Sequence, residues 1–331
     1  MSNSLSDVDG AIDPVTYQWQ SSPNGSTWTA IAGATGASYT TANAGVQLRV
    51  VASYSVAGGP TETITSAPTA TVGAFHIIQG TIASETINGS GNTPANTLTG
   101  NSAANTLSGG AGFDILDGGT DDDTMAGGTG NDVYTVDSAA DIIEGVGEGT
   151  DRINSSVSYT LSANVETLIL TGTAAINGNG NTLANTLTGN TADNTLDGGA
   201  GNDILNGLDG SDVMNGGVGA DILTGGGAGD RFVFSALAEM GIGAGNRDII
   251  TDFISGDRLD FTVLDANNAT AGSEAFTMIN TAAFGGIAGQ LRYSDTAGGI
   301  TVVQGDVNGD SIADFEVQLT GNHIFAADLL L

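Results

Sequence analysis

The feature that most limits what this chain can fold into is a nine-residue repeat. From Gly100 the sequence runs GNSAANTLS, GGAGFDILD, GGTDDDTMA, GGTGNDVYT, and from Gly189 it runs GNTADNTLD, GGAGNDILN, GLDGSDVMN, GGVGADILT, GGGAGDRFV. The eighth position of each unit is large and apolar: Leu107, Leu116, Met125 and Tyr134, then Leu196, Leu205, Met214, Leu223 and Phe232. One such residue per unit is the inward side chain of a very short strand, and a disordered linker has no reason to hold it in phase. Two units make one coil of a solenoid, so every second unit stacks on the same edge at the ~4.8 Å spacing of paired strands.

The sixth position carries the polar signal. It is Asn105, Asp114, Asp123 and Asp132 in the first array, then Asn194, Asp203, Asp212, Asp221 and Asp230 in the second. Same-edge stacking pairs Asp114 with Asp132, Asp203 with Asp221, and Asp212 with Asp230. Glycines such as Gly109, Gly118, Gly127, Gly198, Gly207 and Gly216 open the units, permit a tight reversal and leave carbonyls pointing into the same gap. A calcium ion needs roughly six to eight oxygens from carboxylates and carbonyls, and stacked loops of this kind offer that set. Two carboxylates held one coil apart repel unless a cation lies between them, so the fold is expected to depend on metal. Where Asn96, Asn105, Asn185 and Asn194 replace Asp, a metal-free amide ladder is the expectation.

Composition agrees with a cation partner. The chain has 37 acidic residues against six Arg, no Lys and no Cys, for a net charge of -31. Such a polyanion repels nucleic acid and anionic membranes. Without cysteine there is no disulfide framework, but metal can hold an extracellular protein in its place, so cysteine use alone does not fix the compartment. Met1 to Gly10 has neither a basic nor an apolar signal region, so no Sec leader is expected there, and no apolar run reaches membrane-spanning length.

The repeat resembles the nonapeptide of the RTX family, over roughly residues 80 to 235. That resemblance implies a parallel β-roll holding several Ca²⁺ ions. The tail resembles the C-terminal domain of serralysin-type metalloproteases through DRFVFSALAEMG, RDIITDFISGDRLDF and GQLRYSD. It implies a cap that completes the roll, further calcium ligands at Asp248, Asp252 and Asp257, and an uncleaved type I secretion signal at Asp328, Leu329, Leu330 and Leu331. The chain would then be extracellular or at the cell surface, with the secretion machinery as a partner. Ahead of the repeats, YQWQSSPNGSTWTAIAGAT and VQLRVVASY resemble an Ig-like module without its disulfide, in which Trp19 and Trp28 would be core. LSDVDGAIDPVTYQW offers no strand before this hairpin, so the sequence reads as a fragment starting inside a domain.

The fold expected is therefore all-β: an Ig-like β-sandwich over 1–73, a parallel β-roll over 74–235, and a serralysin-like cap over 236–331. Val136 to Thr188 breaks the nine-residue count but keeps strand character, and reads as further coils without regular calcium loops. Asp306, Asn308, Asp310 and Asp314 are spaced like the start of a calcium loop, but the Gly is misplaced for an EF-hand and no Glu follows at position twelve; a solvated hairpin fits equally well. No enzyme is expected. His76 and His323 are isolated, H-E-x-x-H and G-x-S-x-G are absent, and Cys and Lys chemistry is ruled out. The rival readings are an adhesion or surface-layer module, and an accessory, polysaccharide-binding module of an exported enzyme.

Overall fold

The computed structural model describes residues 16–36, 46–55, 61–66, 76–79, 86–88, 95–141, 149–268, 274–296, 298–321 and 328–331. Its main body is a parallel β-solenoid. One sheet collects a strand from every coil: His76–Gln79, Asn96–Asn101, Ile115–Gly119, Val133–Val136, Arg152–Ser155, Thr167–Leu170, Thr186–Thr188, Ile204–Leu208, Ile222–Gly226 and Asp248–Phe253 run parallel in that order. The facing layer is split. Thr86–Asn88, Thr106–Ala111 and Thr124–Thr129 form one part, and a seven-stranded sheet from Tyr159–Thr160 to Leu329–Leu330 forms the other.

Register shows why the repeat has its period. Leu98 pairs with Leu116, Leu116 with Tyr134, Leu187 with Leu205 and Leu205 with Leu223, so each apolar residue sits directly on its counterpart one coil away. Side chains alternate across a strand, and flanking threonines and asparagines point outward. The resulting column is fully buried from Leu98 through Ile153, Leu168 and Ile250 to Leu319, and faces a second column of Leu107, Met125, Leu196, Met214, Phe232 and Leu259. Between the arrays the coils continue: Tyr134 pairs with Ile153, Ile153 with Leu168 and Leu168 with Leu187, through steps that are not multiples of nine.

The last coil is longer. Leu223 pairs with Ile250 and Phe232 with Leu259, because an insertion carrying the short 3-10 turn Leu237–Glu239 loops out before Asp248. Phe315–Gly321 then adds in parallel to Asp248–Phe253, and the antiparallel strands Ile300–Asp306 and Gln290–Thr296 follow. Phe234, Phe261, Phe276 and Phe315 pack beneath them at ring separations of 5.2–6.2 Å. At the very end Leu329 stacks on Leu259, while Asp328 reaches Arg258 at 3.5 Å.

Near the N-terminus the described strands form a single antiparallel sheet in the order Thr29–Ala30, Thr16–Ser22, Gln47–Ser55, Thr61–Thr65. A sandwich needs a second sheet, and residues 1–15 and 37–45 lie outside the described residues. Trp19 and Trp28 are half-buried rather than core: the Trp19 indole donates to the Gly36 carbonyl at 3.0 Å, and the Arg49 guanidinium lies 4.4 Å from the Trp28 ring.

Tyr134 differs from the other column residues in carrying a hydroxyl, which accepts the buried Gly127 N–H at 2.8 Å. Tyr134→Phe keeps the packing and removes that acceptor, and is expected to destabilise the calcium-loaded chain by about 1–3 kcal/mol in urea denaturation. An unchanged midpoint would mean that the N–H finds another acceptor.

Candidate metal centre

Each turn of the repeat is shaped by where its glycines stand. The second and fourth positions take left-handed backbone, as at Gly110 (φ 109°) and Gly112 (φ 117°), and they keep it even where Leu208, Asp121 or Ala228 occupies the place. Left-handed backbone costs an L-residue about 1–2 kcal/mol, so those three units hold strain that the stack over-determines. The first position is a different case. A Cβ on Gly109, Gly118, Gly127, Gly198, Gly207 or Gly216 would overlap the carboxylate of the same unit, respectively Asp114, Asp123, Asp132, Asp203, Asp212 and Asp221. These glycines are the floor on which the aspartates fold back.

The aspartates then stack into two ladders, one along each edge. On the first, Oδ1 of Asp114 accepts the Asn96 N–H at 2.6 Å, Asp132 that of Asp114 at 2.8 Å, and Asp151 that of Asp132 at 2.7 Å. The same edge resumes with Asp203 on Asn185, Asp221 on Asp203 and Asp248 on Asp221, at 2.7–2.9 Å. On the second edge, Asp123 accepts from Asn105, Asp141 from Asp123, Asp212 from Asn194 and Asp230 from Asp212, at 2.7–2.8 Å. Every aspartate therefore binds the backbone of the coil before it through one oxygen.

The other oxygen is the one that matters chemically. Oδ2 of Asp114, Asp123, Asp203, Asp212, Asp221, Asp230 and Asp248 is buried and meets no hydrogen-bond donor, in residues at most 2% exposed. The described ion pairs, Arg231–Asp260, Arg247–Glu316 and Arg258–Asp328, involve other carboxylates. Backbone carbonyls close on the same spots: Gly127 O lies with Asp114 Oδ2 against Gly109, and Gly216 O with Asp203 Oδ2 against Gly198. No three His, Cys, Asp or Glu side chains among the described residues gather as a metal cluster. A cation here takes one or two carboxylates and completes its shell from carbonyls, an all-oxygen set that suits a hard ion such as Ca²⁺.

Asparagine at the start of an array supplies what aspartate lacks. Asn96 Nδ2 donates to Asp114 Oδ1 at 3.0 Å and to the Gly109 carbonyl at 3.4 Å, and Asn194 Nδ2 donates to the Ile176 carbonyl at 2.6 Å. The amide group is a covalently tethered donor in the gap where the next coils have only acceptors.

Asp252 and Asp257 sit differently from the repeat aspartates. Asp252 accepts the Gly225 and Gly226 N–H groups, one on each oxygen, and Asp257 accepts those of Asp230 and Ile254. In the 306–314 loop, Asp306 takes the Gly309 and Ser311 N–H groups and Asp314 that of Val307, so these carboxylates brace a turn. A fixed count of nine reaches Asp141, nine after Asp132, and Asp248, eighteen after Asp230, but passes over Asp151. Counting from one ladder member to the next finds Asp141 eighteen after Asp123, and GEGTD ending at Asp151 shows the same turn after a one-residue slip.

Burial raises the carboxyl pKa along the ladder, partly offset by the backbone hydrogen bonds. It reaches about 6 at Asp203, Asp212 and Asp230, about 7 at Asp221 and about 8 at Asp248, where neighbouring carboxylates add to the shift. Folded-state values above the unfolded value of about 3.9 mean that the metal-free fold holds protons the unfolded chain releases. This contribution is fully present below about pH 4 and is lost as the pH rises through 6 to 8. In chelator the fold is therefore expected to be more stable at pH 5 than at pH 8, with saturating calcium removing the difference. Thermal melts that rank the two pH values the other way would contradict the assignment.

Known proteins share these features in part. Residues 99–134, 179–214 and 206–235 match the RTX calcium-binding nonapeptide repeat (4 copies), and residues 2–72 match a domain of unknown function, DUF8696. No curated protein matches the chain. Two solution structures from the Azotobacter vinelandii mannuronan C5-epimerase are similar at 29% identity. The AlgE6R2 subunit covers 48% of this chain and 92% of its own with a TM-score of 0.36, and the AlgE6R3 subunit covers 45% and 78% with 0.34. The chain carries RTX calcium-binding nonapeptide repeats, wound as a parallel β-solenoid.

Proposed function

We propose that this chain is a structural, non-catalytic module of an exported protein that folds when calcium enters its two aspartate ladders. The observation that carries the reading is the row of buried Oδ2 atoms with no donor, at the same place in coil after coil. Asp114 with Asp132, Asp203 with Asp221, and Asp212 with Asp230 supply the carboxylates, and Asp123 does so on the edge shared with Asp141. Carbonyls of the opening glycines complete the shell. When bound, the ion supplies positive charge to oxygens that otherwise face one another.

The same reading makes export and folding one event. In a cytosol of low free calcium the ladders repel and the chain stays open enough for a type I channel; outside, the ion compacts it. The acidic-apolar ending from Asp328 to Leu331 serves as the export signal and, once outside, Leu329 becomes the last rung of the sheet. The tail is read as a serralysin-like cap, and the N-terminal sheet as part of an Ig-like module that faces a partner.

Far-UV circular dichroism of chelated protein is expected to gain β signal cooperatively with calcium and not with equal magnesium, because several coupled sites share one fold. A spectrum indifferent to calcium would replace this reading with a preformed amide-laddered scaffold. Asp203→Asn is expected to lower calcium affinity and to leave more β structure in chelator than the wild type, since its amide imitates Asn96 and Asn185. An unchanged affinity would remove Asp203 from the ligand set.

A further inference from the structure

The coils between the two arrays rest on a different balance of forces from the repeats. From Arg152 to Ala192 the only charged residues are Arg152 and Glu166, so this stretch is neutral in a chain of net charge -31. It has no self-repulsion for a cation to relieve. Its core is also larger. The coils from Arg152 to Thr188 bury Ile153, Tyr159, Leu161, Val165, Leu168 and Leu170, each at most 5% exposed, whereas the repeat coil from Gly198 to Asn215 buries Leu205 and Met214.

Its turns are closed by amides. Asn181 and Asn190 stand at the second position of their units, where the following coils have Gly199, Leu208, Gly217 and Gly226, and Asn185 and Asn194 stand at the sixth, where those coils have Asp. On one edge, Asn181 Nδ2 donates to the Ser162 and Val165 carbonyls at 2.7 and 2.8 Å, and Asn185 Nδ2 to the Val165 carbonyl at 3.2 Å. On the other, Asn190 Nδ2 donates to the Ala174 carbonyl at 2.8 Å and Asn194 Nδ2 to the Ile176 carbonyl at 2.6 Å. Within each pair the sixth-position Oδ1 accepts the second-position N–H, at 2.7 and 2.8 Å. Among the described residues, no buried side-chain polar atom from Arg152 to Asn202 lacks a hydrogen-bond partner. Each turn has its donor built into the chain, and burying it leaves no charge uncompensated.

We propose that residues 152–194 are a starter block that keeps its sheet without calcium, and that the calcium-dependent coils wind onto its two ends. The pairs Asn181 with Asn185 and Asn190 with Asn194 are its clamps. On one side Leu187 receives Leu205, the first coil of the second array, and on the other Ile153 receives Tyr134, the last of the first. A solenoid coil contacts only its neighbours, so a block already formed spares each array a nucleus of its own. This rests on the calcium reading for the coils on either side, and goes beyond it in assigning the middle of the chain a fold that the ion does not control.

Amide hydrogen exchange of the full chain, read by mass spectrometry, separates the blocks. In chelator, Thr167–Leu170 and Thr186–Thr188 are expected to be protected about tenfold or more over Ile115–Gly119 and Ile222–Gly226, and calcium should then slow the latter two. Asn185→Asp exchanges the tethered donor for the carboxylate of a repeat coil. In chelator it should cost Thr167–Leu170 that protection, while Ile222–Gly226 still gains protection from calcium and so shows the variant folded. If the four strands exchange alike in chelator and all slow with calcium, the starter block is wrong and the ladder reading stands. If Ile222–Gly226 is as well protected in chelator as in calcium, both fail, because no coil is left for a template to start. Unchanged protection in Asn185→Asp would remove the asparagine pairs as the clamps.

Discussion

Everything in the solenoid hangs on buried carboxylates that are only half satisfied. One oxygen of each ladder aspartate binds the backbone of the preceding coil, which fixes the spacing between coils. The other, in Asp114, Asp123, Asp203, Asp212, Asp221, Asp230 and Asp248, is buried with no donor. A buried anion without a partner costs several kcal/mol, so repetition multiplies the penalty with each coil. The same contact that gives the stack its register therefore makes it dependent on something positive. With six Arg in the chain and the described ion pairs directed at other acids, that something comes from outside.

The apolar columns set the shape of the stack. A coil buries one large side chain from each face, such as Leu205 and Met214, while its other apolar residues, such as Ile204 and Leu208, stay exposed and most of the rest are Gly, Asn and Asp. Glycine-rich turns lose more backbone entropy on ordering than any others. With one large buried side chain per face in each coil, the proposed calcium sites would add to a narrow apolar core.

The repeats were legible because period, burial and chemistry coincide in them. Leu116, Asp114 and Gly109 each recur at fixed phase, and each has one structural job. What followed a changing step was harder to read. Asp151 is displaced by one residue because the coil before it is nineteen long, and Asp248 is displaced by nine because of the insertion. The ladder continues through both because a hydrogen bond to the next coil measures distance in space, not along the chain. Glu239 stands nine residues after Asp230, at the sixth position of the next count, but FSALAEMGI around it lacks the opening glycines of a repeat. The tryptophans misled for a related reason. Trp28 has a guanidinium over its ring, which a pattern of apolar residues does not reveal.

The stretch between the two arrays explains how a chain this acidic can fold in blocks. From Arg152 to Ile176 the coils bury Ile153, Tyr159, Leu161, Val165, Leu168, Leu170 and Ile176, a denser core than the repeats have. Their polar groups pair with one another, as when Asn181 Nδ2 donates to the Ser162 and Val165 carbonyls at 2.7 and 2.8 Å. Asn185 and Asn194 extend that amide pairing into the first coil of the second array, before the first unpartnered carboxylate at Asp203. The middle block thus needs no ion to satisfy its buried polar groups, and it presents a finished edge on which the next coil can stack. Under the proposed reading, calcium would have to stabilise only the addition of one coil to an existing template, which avoids the loop-closure cost of starting a solenoid anew.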